Sequence, residues 1–240
     1  MQLYFIRHGQ STNNLLWLNT GSSEFRDKDP ELSEAGKTQI QFLADYLKPG
    51  SEIFANGGYS NQSGCPALTH VYSSLMIRAI ETGCAVARAN SLPLLGHMDL
   101  HEGGGIYQDD AETGKPVGLP GNSRSYLENR FPDLIIPESV TDCGWWDRPY
   151  EDREERLIRA RRLLDFLISK HGKTEDRIAM VSHAGFHNYF IRALLKIADP
   201  NNCWFNLANT GISRFDLREN EVGLIYINRT VHLSTNLLTD

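Results

Sequence analysis

Leu3 to Ile6 is a run of four apolar, β-favouring positions that stops at Arg7-His8-Gly9, which predicts a buried strand ending in a polar loop. Further on the period changes. Ile40, Leu43, Ala44 and Leu47 recur at helical spacing, Ser33 marks the entry and Pro49-Gly50 the exit, so the span from Leu32 to Leu47 reads as a helix. Leu68 to Tyr72 predicts a strand, Ser73-Ser74 a cap, and Met76 to Ala89 a second helix carried by Ile77, Ile80, Cys84, Ala85 and Ala87. Leu92 to Leu95 predicts a short strand. A third strand-to-helix step follows the charged helix Arg153 to His171, with a strand at Arg177 to Ser182 and a helix at Phe186 to Ile197. Ile212 to Leu217 and Leu224 to Asn228 read as closing strands around a polar turn at 218–221.

Two stretches break this rhythm. Residues 51–66 are rich in Gly, Ser and Asn and read as a surface insertion; 103–150 holds no sustained period and reads as an irregular excursion over the sheet. Strands alternating with helices predict an α/β class, with 1–240 as one domain carrying those two insertions.

Composition narrows the function. The 240 residues are 40% hydrophobic and 22% charged, as in an ordinary globular protein, and 24 basic against 30 acidic residues give a net charge of −6. That balance opposes a nucleic-acid binder or a protein of anionic membranes. Cys65, Cys84, Cys143 and Cys203 form neither a disulfide framework nor a zinc motif and read as reduced thiols. The first residues suit neither a signal peptide nor a membrane span, so cytoplasmic residence is expected. Gly36-Lys37-Thr38 and Gly172-Lys173-Thr174 mimic the end of a P-loop, but Glu31 and Leu167 stand where its first glycine belongs.

The chemistry sits at strand ends. Arg7-His8-Gly9 follows the first strand, where open α/β sheets bind ligands, and Val181-Ser182-His183-Ala184-Gly185 repeats that placement before a helix. Two histidines at two strand ends suggest a shared site. His183 and His187 are four apart, yet Ala184-Gly185-Phe186 between them supplies no acid and no third ligand is evident, so no metal is expected.

Four ordered blocks span the chain: Arg7-His8-Gly9-Gln10-Ser11 with Asn14; Ser73 to Thr82 containing Arg78; Leu100-His101-Glu102; and Val181 to Gly185, followed by Asn209-Thr210-Gly211-Ile212-Ser213. In this order they resemble the histidine phosphatase superfamily, in its phosphoglycerate mutase-like branch. The resemblance implies a three-layer α/β/α sandwich with a central mixed, mostly parallel sheet and one antiparallel edge strand. It also implies a phosphomonoesterase that works through a covalent phosphohistidine on a soluble small-molecule phosphomonoester, without cofactor.

Phosphoryl oxygens need donors around them, which Arg7, Arg78 and His183 would supply. Neighbouring guanidinium groups should keep His8 neutral and nucleophilic. Glu102 matches the proton donor for the leaving alkoxide and the base for water. Asn14, Gly9 and Ser11 are expected at the phosphate, Ser11 also as a helix cap. Gln10, His101 and Tyr107 reach either substrate or fold, and Trp145-Trp146 either line the core or cover the pocket. A mutase-type phosphotransferase and a catalytically silent phosphate-binding module are the alternatives; Gly103-Gly104-Gly105-Ile106-Tyr107 departs from the polar stretch of the mutases.

Overall fold

The structure is a computed structural model and describes residues 1–52, 67–197, 203–218 and 221–240. Among the described residues seven strands form one sheet, in the order β6-β3-β2-β7-β1-β8-β9. They are β1 (Gln2–Arg7), β2 (His70–Ser73), β3 (Leu94–Gly96), β6 (Leu134–Ile135), β7 (Arg177–Ser182), β8 (Ile212–Arg218) and β9 (Glu221–Arg229). From β6 to β1 all pairings are parallel, whereas β8 runs antiparallel to both β1 and β9. The sheet is therefore mixed and mostly parallel, as expected. The antiparallel strand is not at the edge: β9 pairs outside β8, because the chain turns straight back into a hairpin.

Among the described residues there are six α-helices: α1 (Thr12–Thr20), α2 (Glu34–Leu47), α3 (Ile77–Ala89), α4 (Arg124–Arg130), α5 (Arg153–His171) and α6 (Ala184–Leu195). Period-2 alternation along the parallel strands divides the core. Tyr4, Ile6, Val71, Ala179 and Val181 face α2 and α3, while Leu3, Phe5, Tyr72, Ile178 and Met180 face α5 and α6. The central strands β1, β2 and β7 bury residues on both sides because each side lies under a helix layer.

Several boundaries depart from the periodic reading. No helical spacing follows Gly9, yet α1 forms there with none of its residues buried; its ends are set by the Ser11 cap and by Gly21 at φ 65°. Ser73-Ser74 does not cap α3, whose N-cap is Met76; Ser74 Oγ accepts from Met76 N at 3.2 Å, and Asp29 Oδ1 accepts from Ile77 N at 3.1 Å. The 103–150 excursion is not wholly irregular. It folds as a hairpin of β4 (Tyr107–Asp109) and β5 (Pro116–Gly118), then α4, and returns as β6 to extend the main sheet at β3. Short elements of two or three residues are too brief to show a period. Most of the 51–66 insertion and the centre of the 218–221 turn lie outside the described residues. No described helix is long and apolar enough to cross a membrane.

Candidate active site

His8 stands one residue beyond β1, pinned by its own backbone: its N–H donates to Ser182 O at 3.0 Å and its carbonyl accepts from Thr210 N at 3.2 Å. The ring is buried, and Nδ1 lies 2.6 Å from Gly9 O. A carbonyl only accepts, so Nδ1 carries the proton and Nε2 keeps its lone pair. Arg78 Nε donates to that Nε2 at 3.1 Å. Burial, then Arg78 and Arg7, push the imidazole well below its ordinary value, which keeps it neutral.

Gly9 has a different part from the phosphate contact expected of it. Its N–H is donated to Thr82 Oγ1 at 3.1 Å and its carbonyl fixes the His8 tautomer. A Cβ there would meet Gly36 O and Ile40 at 2.9 Å, so this crossing of loop and α2 needs glycine.

Two buried cations flank the ring. Arg7 donates to Leu207 O at 2.6 Å, and burial lowers its pKa to about 10, still charged at neutrality. Arg78 does not pair with a surface acid: it bridges His8 and His183, donating to His183 Nδ1 at 3.2 Å, and Asp29 Oδ1 lies 3.7 Å away. Burial pushes the Asp29 carboxyl up to about 7, against the pull of Arg78. His183 Nε2 then donates to Ser74 Oγ at 3.0 Å. Burial and Arg78 hold His183 well below its ordinary value, so the positive charge of the site resides in guanidinium groups and not in this imidazole.

His183 is the N-cap residue of α6, and the same helix end holds Glu102. Glu102 Oε1 accepts from Phe186 N at 2.9 Å and Gly103 N at 2.7 Å, and Oε2 from Gly185 N at 3.2 Å. A carboxylate at a helix N-terminus meets both unpaired N–H groups and the positive end of the dipole. Asn14 is anchored through Oδ1, which accepts from Ser11 N and Oγ and from Asn209 Nδ2. That leaves its Nδ2 as the group offered to the site. A cavity of about 250 Å³ gathers Arg7, His8, Ser11, Asn14, Arg78 and Glu102.

The residues left open at the sequence level now divide. Gln10 is structural, its Oε1 accepting from Ser33 Oγ at 2.6 Å. His101 is buried and packs on Trp146 at 4.5 Å between ring centroids. Tyr107 lines the cavity, with the Arg26 guanidinium 4.1 Å over its ring. Trp145 and Trp146 are core residues, 2% and 3% exposed. His187 points away from the site, Nε2 2.9 Å from Ser213 Oγ. Among the described residues one trio could hold an ion, His70, His171 and Asp176, at the opposite, N-terminal ends of β2 and β7. Arg26 and Asp29 escape the sequence pattern, which reads Ser74 as a cap; Arg26 and Asp29 sit in a loop without period, and only the fold brings them to the site.

The family model described as histidine phosphatase superfamily (branch 1) matches residues 62–230, which include Arg78, Glu102 and His183 but begin after His8. A search of curated protein sequences finds no match. Among solved structures, a phosphoserine phosphatase mutant from Entamoeba histolytica in complex with phosphoserine superposes with a TM-score of 0.58 at 22% identity, covering 97% of this chain and 99% of that one. Mycobacterial glucosyl-3-phosphoglycerate phosphatase gives 0.57 at 18% identity, with 95% and 99% covered. A protein described as mycobacterial hydrolase 2 gives 0.59 at 19%, with 98% and 94% covered. At these identities the likeness is one of fold.

Proposed function

This chain belongs to the histidine phosphatase superfamily, and from that membership we propose a phosphoric monoester hydrolase that forms a phosphohistidine on His8 and acts on a small soluble phosphomonoester. The observation that carries the reading is the state of His8: Nδ1–H is tied to Gly9 O, so the Nε2 lone pair is the reactive atom in a cavity with Arg7 and Arg78.

In the first half-reaction Nε2 attacks phosphorus in line, the N–P bond forms, and the ester P–O bond breaks. Arg7, Arg78 and the Asn14 amide donate to the equatorial oxygens, whose charge grows in the transition state. The departing alkoxide takes a proton from Glu102. In the second half Glu102 takes a proton from water, the hydroxide attacks phosphorus, and the P–N bond breaks. His8 returns neutral, Glu102 returns protonated, and phosphate leaves. His183 holds Arg78 in place through Nδ1 until phosphate competes for the same guanidinium.

Hydrolysis is favoured over a mutase-type transfer by the surroundings of Glu102. The carboxyl also borders a second cavity of about 980 Å³, wide enough to admit water to a phosphohistidine. The solved relatives named for phosphoserine and glucosyl-3-phosphoglycerate support a small metabolite as substrate. Free Cys84, Cys143 and Cys203 support residence in the reducing cytoplasm; Cys65 lies outside the described residues.

The test is p-nitrophenyl phosphate hydrolysis by wild type, His8→Ala and Glu102→Gln, with intact-protein mass at neutral pH, since phosphohistidine is acid-labile. Wild type turns over, His8→Ala loses several orders of magnitude, and Glu102→Gln accumulates a phosphoryl adduct because the activated aryl group leaves unaided while water lacks its base. Retention of more than about a tenth of wild-type kcat by His8→Ala would overturn the assignment. Tight phosphate binding without turnover would favour the silent module.

A further inference from the structure

Among the described residues, the 980 Å³ cavity is lined by five cationic side chains, Arg153, Arg156, Arg161, Arg192 and Lys196, against two acids, Glu102 and Glu154. It shares Glu102 and Tyr107 with the His8 cavity, so the two spaces meet at the proposed proton carrier. The leaving group of a substrate phosphorylating His8 departs on the Glu102 side.

Among the described residues its cations are poorly compensated. The carboxylate nearest Arg156, Glu151, lies at 3.9 Å and is already held by both Nε and Nη2 of Arg159, at 2.6 and 2.7 Å. Arg156 instead donates to the Tyr150 hydroxyl at 2.7 Å and the Glu151 carbonyl at 3.0 Å, and also interacts with the Tyr189 hydroxyl. Among the described residues Arg192, 8% exposed, donates only to Cys203 O, at 2.6 Å, and has no ion-pair partner. The Nε atoms of Arg156 and Arg192 are buried without a hydrogen-bond partner there. Both guanidinium groups flank one ring, Tyr189, at 5.8 and 5.7 Å from its centroid. Two like charges around one aromatic, with N–H donors unspent, form a receptor for an anion.

We propose that this cleft between α5 and α6 binds a second acidic group, carboxylate or phosphate, carried by the alcohol half of the substrate. The inference rests on the phosphomonoesterase reading and names its substrate class. Helix geometry sets the spacing. Gly185 N touches Glu102, Tyr189 lies one turn further and Arg192 about two, which puts the anion roughly 6 to 10 Å from the scissile oxygen, or about five to eight bonds of extended linker. Tyr150 and Tyr189 give that linker an apolar wall.

Steady-state kinetics on three esters tests this: n-hexyl phosphate, the phosphate monoester of 6-hydroxyhexanoic acid, and 1,6-hexanediol bisphosphate. Both acid-bearing esters should exceed hexyl phosphate in kcat/KM by about tenfold or more, a preference that added salt reduces; the better of the two identifies the acid. Arg156→Gln and Arg192→Gln should bring the ratio of acid-bearing to neutral ester near one. Arg161→Glu, at an exposed position without hydrogen bond or ion pair among the described residues, should lower the same ratio and remains informative where a buried variant fails to fold. Equal kcat/KM for all three esters in wild type, with p-nitrophenyl phosphate hydrolysed, overturns the subsite and leaves the phosphatase standing. No hydrolysis of any ester overturns both.

Discussion

Gly185 and Glu102 meet without room for one more carbon: a Cβ on Gly185 would lie 2.5 Å from Glu102 Oε1, where the glycine N–H now donates to Oε2 at 3.2 Å. The glycine two residues after His183 thus holds the carboxyl proposed to move the proton, and one helix terminus fixes both His183 and Glu102.

Gly185→Ala should therefore displace Glu102 while leaving His8 in place. A shift of about 1 Å in a catalytic group costs on the order of 10²-fold in rate. Alkyl phosphates, which need the proton, should lose more kcat than p-nitrophenyl phosphate, with circular dichroism unchanged. Equal losses on both would show that the carboxyl has not moved alone.

Stability should fall steeply in acid. His8, His101 and His183 are held well below 6.5 by burial first and by neighbouring arginines second, and burial takes His187 to about 3 and His232 to about 4. Below 6.5 the unfolded chain takes up five protons at these positions that the folded chain refuses, so the stability they contribute is present above 6.5 and lost as pH drops. Asp29, raised to about 7, has the opposite sign between its ordinary 3.8 and 7 and offsets one of the five. Each proton contributes about 1.4 kcal/mol per pH unit. Urea midpoints from pH 7 to 5 should decline, and Asp29→Asn should steepen the decline; a flat profile would show that these histidines titrate normally.

The proposed phosphatase should keep its rate in EDTA. Arg7, Arg78 and Arg26 line the His8 cavity, placing on three guanidinium groups the charge that phosphoryl transfer elsewhere takes from a divalent ion. Initial rates after exhaustive chelation should equal the untreated rate, and loss restored only by a divalent cation would contradict this.

Trp145 and Trp146 should matter for stability and not for substrate choice. The Trp146 ring presses on Gly105, itself at φ 74°, and Trp145 on Gly121. Truncating either to Ala should cost about 3–5 kcal/mol, read from urea denaturation. The ranking of a substrate panel should be unchanged in the folded protein. Altered ranking by either variant would return that residue to the pocket wall.

Much of this molecule is legible in the chain itself. Apolar runs bounded by Arg7-His8-Gly9 and Ser182-His183 locate the two strand ends, because a strand covered on both faces must be continuously apolar and its polar continuation must leave the sheet. The helical periods of α2, α3 and α5 emerge as clearly, since each buries one stripe. Local pattern does not reach α1, which buries nothing, or β6, whose two residues pair with β3 some forty positions earlier. Nor does it reach Asp29, whose neighbours in sequence are loop residues and whose partners are remote, Ile77 N and Arg78 almost fifty positions on and Asn122 93 positions on. Periodicity reports which side of an element is buried. Which loop closes over a helix end, which arginines crowd around Tyr189, and how narrowly Gly185 clears Glu102 are distances between segments remote in sequence, and only the packed fold sets them.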